Sequence, residues 1–465
     1  MQNFEFKKSI KQYFALLKCS DILRMCEKKR IRIINKKNYI IALSFGLSIL
    51  MSGCSKKMGF VLDNNRHDKT VLTMATDLYT FENDVKSFNL NNKDYFIEVV
   101  MFDNEEDFLR SIDTGDYPDF YSFAPSISGY RALDPMKLSA KGMLTDLYEL
   151  IDKDEDINRE SFIPGLLSVT EFGSALYQLP SSFYIMSVVG NTDIVGEHID
   201  SLDRLTHLMT KYEVEYPFGP NETREKLATY VLAEYYHDYM EWETMSSNVN
   251  TELFRDILNL LKLQPSKEEV MIDGKIMEIP YKDIIEQNQI LLCPVTISSV
   301  NQMQIASGMI GTESVSFVGF PIDASISSIA TNGSFGISST SAYREVAWEF
   351  IRQYYLERET TAFVTNASAL SARLADKTIL EEATQGILSI GRGKDAYEIE
   401  IGKPTDKDRL SLTKLIESFN RMHRYDAKVI RQIVTLATPY WDGKEDIDTT
   451  IEKIDAYLQS YFSNI

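Results

Sequence analysis

The chain has 465 residues, of which 44% are hydrophobic and 25% charged, and its formal net charge is -19. This length and composition allow two or three packed domains and exclude a disordered, collagenous or minimal disulfide-stapled chain. An acidic balance of this size also argues against nucleic acid as a partner, because affinity for phosphate backbones comes from Lys and Arg.

The charge is unevenly placed. Residues 1 to 53 carry 11 Lys+Arg against 3 Asp+Glu, a balance of +8, and the rest carries 38 against 65, a balance of -27. Within the leader, a basic run from Lys28 to Lys37 precedes Tyr39 to Met51, an uncharged and mostly apolar stretch of 13 residues. That is too short to span a hydrocarbon core, which takes roughly 20 helical residues, and has the proportions of a signal-peptide core. Ser52, Gly53 and Cys54 come directly after it. Two small residues directly before a cysteine resemble the lipobox of bacterial lipoproteins, with Met51 where that pattern usually has Leu. The resemblance implies lipidation at Cys54, cleavage before it, and a body held outside the membrane by acyl chains; the alternative is a free thiol beside an uncleaved anchor. The preface Met1 to Arg24 is long for a signal peptide, and a start at Met25 would give ordinary proportions. Of the four cysteines, Cys19 and Cys26 leave with the leader and Cys54 takes the lipid, so only Cys293 remains and no internal disulfide is expected. Its apolar surroundings, Leu291 to Val295, predict a buried, inert thiol.

Residues 55 to 69 read as a flexible tether. Strands are predicted at Val71 to Thr76, Tyr95 to Phe102 and Phe120 to Phe123, with helical patterns between them at Phe81 to Phe88 and Glu105 to Ile112. Two βαβ units in about 50 residues mean a parallel sheet covered on both faces. The acidic loop Asp152 to Asp156 has the opening spacing of a calcium loop, but Ile157 stands where Gly is required, so it is read as a solvated loop with Asn158 capping the helical turn after it. Strand character returns at Ala175 to Gly190. The chain then turns helical, with Ser201 as an N-cap and long patterns at Thr223 to Met240 and Thr251 to Leu263. Further strands lie near Gln289 to Val295, Val315 to Gly319 and Ser334 to Ser338, a helix runs from Ala342 to Tyr355, and the last hundred residues are again helical.

Several local patterns stand in the order found in the extracellular solute-binding proteins of ABC importers, family 1, which carry sugars and oligosaccharides. TGDYPDFYSF (Thr114 to Phe123) resembles that family's strand entry and KGMLTDLYELID (Lys141 to Asp152) its Gly-x-Leu-x-Asp-Leu element. SALYQLPSSF (Ser174 to Phe183) is similar to its hairpin, with Ser174 and Ala175 replacing Gly-Lys; VGFPIDAS (Val318 to Ser325) resembles its Gly-x-Pro crossover. The segments Ser334 to Tyr355 and Ala437 to Phe462 resemble the strand and helix after that crossover and the closing helix pair. The resemblance covers about 400 residues and implies an α/β fold of two lobes, type II-like, with a ligand cleft between them. Residues 70 to 185 plus 315 to 358 would form the first lobe, and 186 to 314 plus 359 to 465 a second, helix-rich one. The function implied is that of a monomeric, lipid-anchored binding component on the outer face of the bacterial cytoplasmic membrane. It would capture a carbohydrate by lobe closure and pass it to the permease, without cofactor, metal or catalysis.

Sugars present apolar ring faces ringed by hydroxyls, so their sites need aromatic platforms beside carboxylates and amides, and ligands of open α/β sheets lie beyond the carboxyl ends of the strands. That reasoning selects Asp77 and Tyr79 after the first strand, Phe183 and Phe320 at the crossovers, and Trp242. Helical spacing of Tyr235, Tyr239 and Trp242 favours core packing for the group, with Trp242 the exception at the helix end; Trp348 and Trp441 are read as structural, and Asp119 as fixing its loop. For Asp77, helix capping competes with ligand binding. The acidic chain favours a neutral oligosaccharide, although the potential inside a cleft need not follow the net charge.

Enzyme motifs fall short. The histidines lack HExxH spacing, Gly333 to Gly336 is not a nucleophile elbow, and Gly391 to Lys394 lacks the first Gly and the Ser/Thr of a phosphate loop. Two other readings stay open: a surface glycan-binding adhesin or sensor component, and a lipid-anchored glycoside hydrolase, since the carboxylates are too numerous to single out a pair.

Overall fold

The structure, a computed structural model, describes residues 68–78, 81–129, 131–272, 275–276, 278–357, 370–372, 385–391 and 396–465. The leader, the lipobox with Cys54, and Tyr79 lie outside the described residues. The strands of the two main sheets are, in chain order, β1 (Thr70–Thr76), β2 (Tyr95–Met101), β3 (Phe120–Phe123), β4 (Leu179–Pro180), β5 (Ser182–Asn191), β6 (Leu292–Ile297), β7 (Val315–Phe317), β8 (Ser327–Thr331), β9 (Ser334–Ile337), β10 (Leu370–Ser371) and β11 (Phe419–Met422). The helices used below are α1 (Glu82–Asn91), α2 (Glu105–Asp113), α3 (Pro135–Ala140), α4 (Leu202–Lys211), α5 (Arg224–Glu234), α6 (Tyr236–Tyr239), α7 (Glu252–Lys262), α8 (Gln302–Ile310), α9 (Arg344–Glu357), α10 (Asp406–Ser418), α11 (Ala427–Trp441) and α12 (Ile447–Ser463).

The first sheet runs β2-β1-β3-β9-β4. β1 lies parallel to both β2 and β3, with Met74 opposite Val99 and Phe120, as expected for two βαβ units. Alternation within the strands sends Leu72, Met74 and Ile97 to one buried layer, with Phe81, Phe88, Phe350 and Ile351 from the helices, and Ala75, Tyr121 and Phe123 to a smaller layer with Phe108. Both faces are covered, which a parallel sheet requires. Asp119 ties the entry of β3, accepting from the Thr73 backbone N at 2.9 Å and the Ser341 hydroxyl at 2.6 Å.

The second sheet is built on β5, which pairs antiparallel with β6, β7, β8 and β10, while β8 pairs parallel with β11. The chain changes sheet at Ser181 and again between Thr331 and Ser334. Within the stretch from residue 315 that the resemblance gives to the first lobe, β7 and β8 pair with β5 in the second sheet.

Around the second sheet α4, α5, α7, α11 and α12 enclose one apolar cluster. Tyr235, Tyr236 and Tyr239 are buried in it, as their spacing predicts, and so is Trp242, the expected exception. Ser201 caps α4 as read, accepting from the Arg204 backbone N. The acidic loop is less solvated than expected: Asp154 accepts from Trp348 Nε1 at 2.8 Å and pairs with Arg352 at 3.0 Å, while Asn158 caps the short turn after it. Cys293 is buried, and burial pushes its thiol up to about 12. Among the described residues no helix is long and apolar enough to cross a membrane.

Candidate functional site

Beyond the carboxyl end of β3 the chain turns through residues 124 to 134, and Asp77 shapes that turn. Its carboxylate accepts from the backbone N of Ala124 at 2.9 Å and of Leu133 at 3.2 Å. Burial pushes the Asp77 carboxyl above its ordinary range in spite of these bonds. Ser126, in the same turn, joins three segments. Its N donates to the Thr331 carbonyl at 2.8 Å and its Oγ to the His423 carbonyl at 2.8 Å; its carbonyl accepts from the Tyr425 N at 2.9 Å. The turn, the crossover after β8 and the segment after β11 thus meet at one serine.

A buried ion pair lies beside this junction. Asp134 caps α3 by accepting from the Met136 N at 3.0 Å, and its other oxygen accepts from Arg424 Nη2. Arg424 is 1% exposed and lies over the rings of Tyr236 (4.9 Å) and Trp242 (5.3 Å). Burial alone would raise the Asp134 carboxyl; Arg424, Arg131 and Lys137 outweigh it and hold it at about 2. For Arg424, burial opposes the charge, and Asp134, Tyr236 and Asp426 more than offset it. Arg131 donates through Nη2 to the carbonyls of Ser126 and Tyr425. Asp426 caps α11, accepting from the N atoms of Lys428 (3.0 Å) and Val429 (3.1 Å), and takes the hydroxyls of Tyr461 (3.2 Å) and Tyr236 (3.4 Å) on its other oxygen.

Above these residues opens a cleft of about 480 Å³. One wall carries Glu105, Arg131, Asp134 and Lys137; the other carries Tyr425, Asp426, Lys428, Arg431 and Tyr461. Lys137 pairs with Glu105 at 2.8 Å, and the Tyr461 ring has the ammonium groups of Lys137 at 5.4 Å and Lys428 at 5.6 Å. The walls nearly touch at Gly129, where a Cβ would come 2.4 Å from the Tyr425 ring and 2.9 Å from the Ala427 methyl, so only glycine leaves the gap. The arrangement offers cationic donors on both walls and the two tyrosines on one of them. Among the described residues, no group of three or more His, Cys, Asp or Glu side chains could hold a metal ion.

No protein-family model matches the sequence, and no curated protein matches it. Solved structures do. The sugar-binding protein MalE from the phytopathogen Xanthomonas citri superposes with a TM-score of 0.54 at 10% identity, covering 85% of this chain and 98% of that one. A cyclic alpha-maltosyl-1,6-maltose binding protein from Arthrobacter globiformis gives 0.50 at 12% identity, covering 85% of this chain and 100% of that one. This chain has the two-lobe fold of the periplasmic solute-binding proteins.

Within that two-lobe fold, the side chains selected from sequence for the cleft lie elsewhere. Phe183 is fully buried in β5 and packs on Phe419 at 6.1 Å. Phe320 is 6% exposed against Phe218, and Trp242 is 4% exposed, edge-on to Phe462. Asp77 holds the backbone of the turn from behind and caps no helix. None of the four lines the cleft. Arg131, Asp134, Tyr425, Asp426, Lys428 and Tyr461 were missed. The signal that could have found two of them is position, since Tyr425 and Asp426 come directly after the strand β11; Tyr461 sits in the closing helix, where nothing in its spacing separates it from core.

Proposed function

We propose that this protein is the lipid-anchored extracellular substrate-binding component of an ABC importer, and that it takes a saccharide into the cleft and carries it to a permease without chemical change. The observation that carries the reading is where the cleft sits. It opens beyond the carboxyl end of β3, where open α/β sheets bind ligands, and its walls come from the turn after β3 of the first sheet and from the segment after β11 of the second. Rotation of backbone angles at residues 332–333 and 423–426 would move the Lys428 and Tyr461 wall against the Arg131 and Lys137 wall, the hinge closure of binding proteins. The half-buried Tyr425 ring offers a platform for a sugar face, and the cationic groups donate to hydroxyls.

Two outcomes are expected. The body lacking residues 1 to 67 binds a saccharide with saturable heat and no turnover, and its radius of gyration in small-angle scattering falls at saturation; cleavage of the glycan would sink the reading. Separately, Cys54→Ser leaves the protein in the medium or as uncleaved precursor, and mass spectrometry finds acyl chains only on the unsubstituted cysteine.

A further inference from the structure

We propose that the ligand of this cleft is an anionic saccharide, one bearing carboxylate or sulfate groups, a refinement that rests on reading the cleft as a saccharide site. The body of the chain is strongly acidic, yet the cleft lining is not: Arg131, Lys137, Lys428 and Arg431 face it against Glu105, Asp134 and Asp426. The three carboxylates are already engaged. Glu105 holds Lys137, Asp134 holds the buried Arg424 behind it, and Asp426 caps α11 and takes two tyrosine hydroxyls.

Two of the cations, Arg131 and Lys428, have no carboxylate hydrogen-bonded to them among the described residues. Arg131 reaches only backbone carbonyls through Nη2, and its Nε is enclosed without a hydrogen-bond partner. Burial, then the neighbouring Arg424, hold Arg131 below its ordinary basicity against the pull of Asp134, Asp426 and Asp77. On the opposite wall Lys428 is exposed, has the Tyr461 ring beside it and forms no ion pair among the described residues. An anionic group lying between Arg131 and Lys428 would supply the missing counter-charge from both walls at once. A guanidinium or ammonium N–H bonds an ionised carboxylate or sulfate oxygen more strongly than a neutral hydroxyl. The half-buried Tyr425 is left for a sugar ring. The net charge of the chain, which favours a neutral sugar, is carried elsewhere.

The test is calorimetric titration of the full chain, purified in detergent, with trigalacturonic acid, a chondroitin sulfate disaccharide, maltotriose and sodium sulfate, each at low and at high salt. At least one acidic saccharide should bind about 10-fold or more tighter than maltotriose and weaken as salt rises; the two acidic probes separate carboxylate from sulfate. Lys428→Gln, on an exposed position, should weaken the acidic probe about 10-fold with the melting temperature unmoved, the loss expected for one charge-assisted contact. Maltotriose binding as tightly as the acids would overturn the anionic assignment and leave the saccharide reading standing. Sodium sulfate binding alone, or no binding by any of the four, would overturn both.

Discussion

Asp134→Asn should destabilise the protein by about 3 kcal/mol or more, because it removes one partner of a buried ion pair and leaves Arg424 uncompensated. Asparagine keeps the side-chain oxygen that accepts from the Met136 N, so the cap of α3 survives and the loss reports the charge. The effect has a pH signature. The folded carboxyl sits at about 2 against an ordinary 3.8, so the group is depressed in the native state. Its stabilisation is fully present above pH 3.8 and is lost as pH falls from there towards 2. Urea unfolding of the two proteins at several pH values is the check: the gap between their midpoints should be widest near neutrality and close across that acid window. A constant gap would mean the damage comes from shape.

Gly319→Ala should cost about 2–5 kcal/mol, combining left-handed backbone strain with overpacking. Gly319 has φ +68°, and a Cβ there would lie 1.8 Å from the Ser325 carbonyl oxygen, a backbone atom that cannot swing away. Gly115→Ala is the control. Its φ is +87° and nothing lies within 4 Å of the added carbon, so only the strain of about 1–2 kcal/mol remains. Equal losses at the two positions would show that the turn from Gly319 to Ser325 yields. This turn is the Gly-x-Pro element read in the sequence, and the close carbonyl is the physical reason for its first residue.

The main elements of the fold were legible because local pattern and tertiary role agree in them. Residues 70–76, 95–101 and 120–123 are apolar, β-branched or aromatic and form the strands expected; Phe108 and Tyr239 lie on the buried faces their spacing assigns. The site was not legible for two reasons. An aromatic that could serve a sugar looks the same in sequence as one that serves the core, and Phe183, Trp242 and Phe320 serve the core. The cleft itself is a charge arrangement drawn from distant stretches, and no spacing rule connects Arg131 or Asp134 to Arg424 and Lys428. The loop Asp152 to Asp156 shows the same limit: its composition suggests full hydration, while Trp348 and Arg352, supplied by α9, draw Asp154 inward.

The pairing of Asp134 with Arg424 spans 290 positions, and the bond from Ser126 to His423 spans 297. At a synthesis rate of about 5–20 residues per second, Asp134 waits roughly 15 to 60 s before its partner exists. Contacts of such long range also close late, because the loop entropy must be met before they reward the chain. The cleft is therefore assembled late, together with the pairing of β11 on β8. A nascent chain stopped short of residue 424 would hold an α3 whose capping carboxylate faces no guanidinium, and a first wall with nothing to close against.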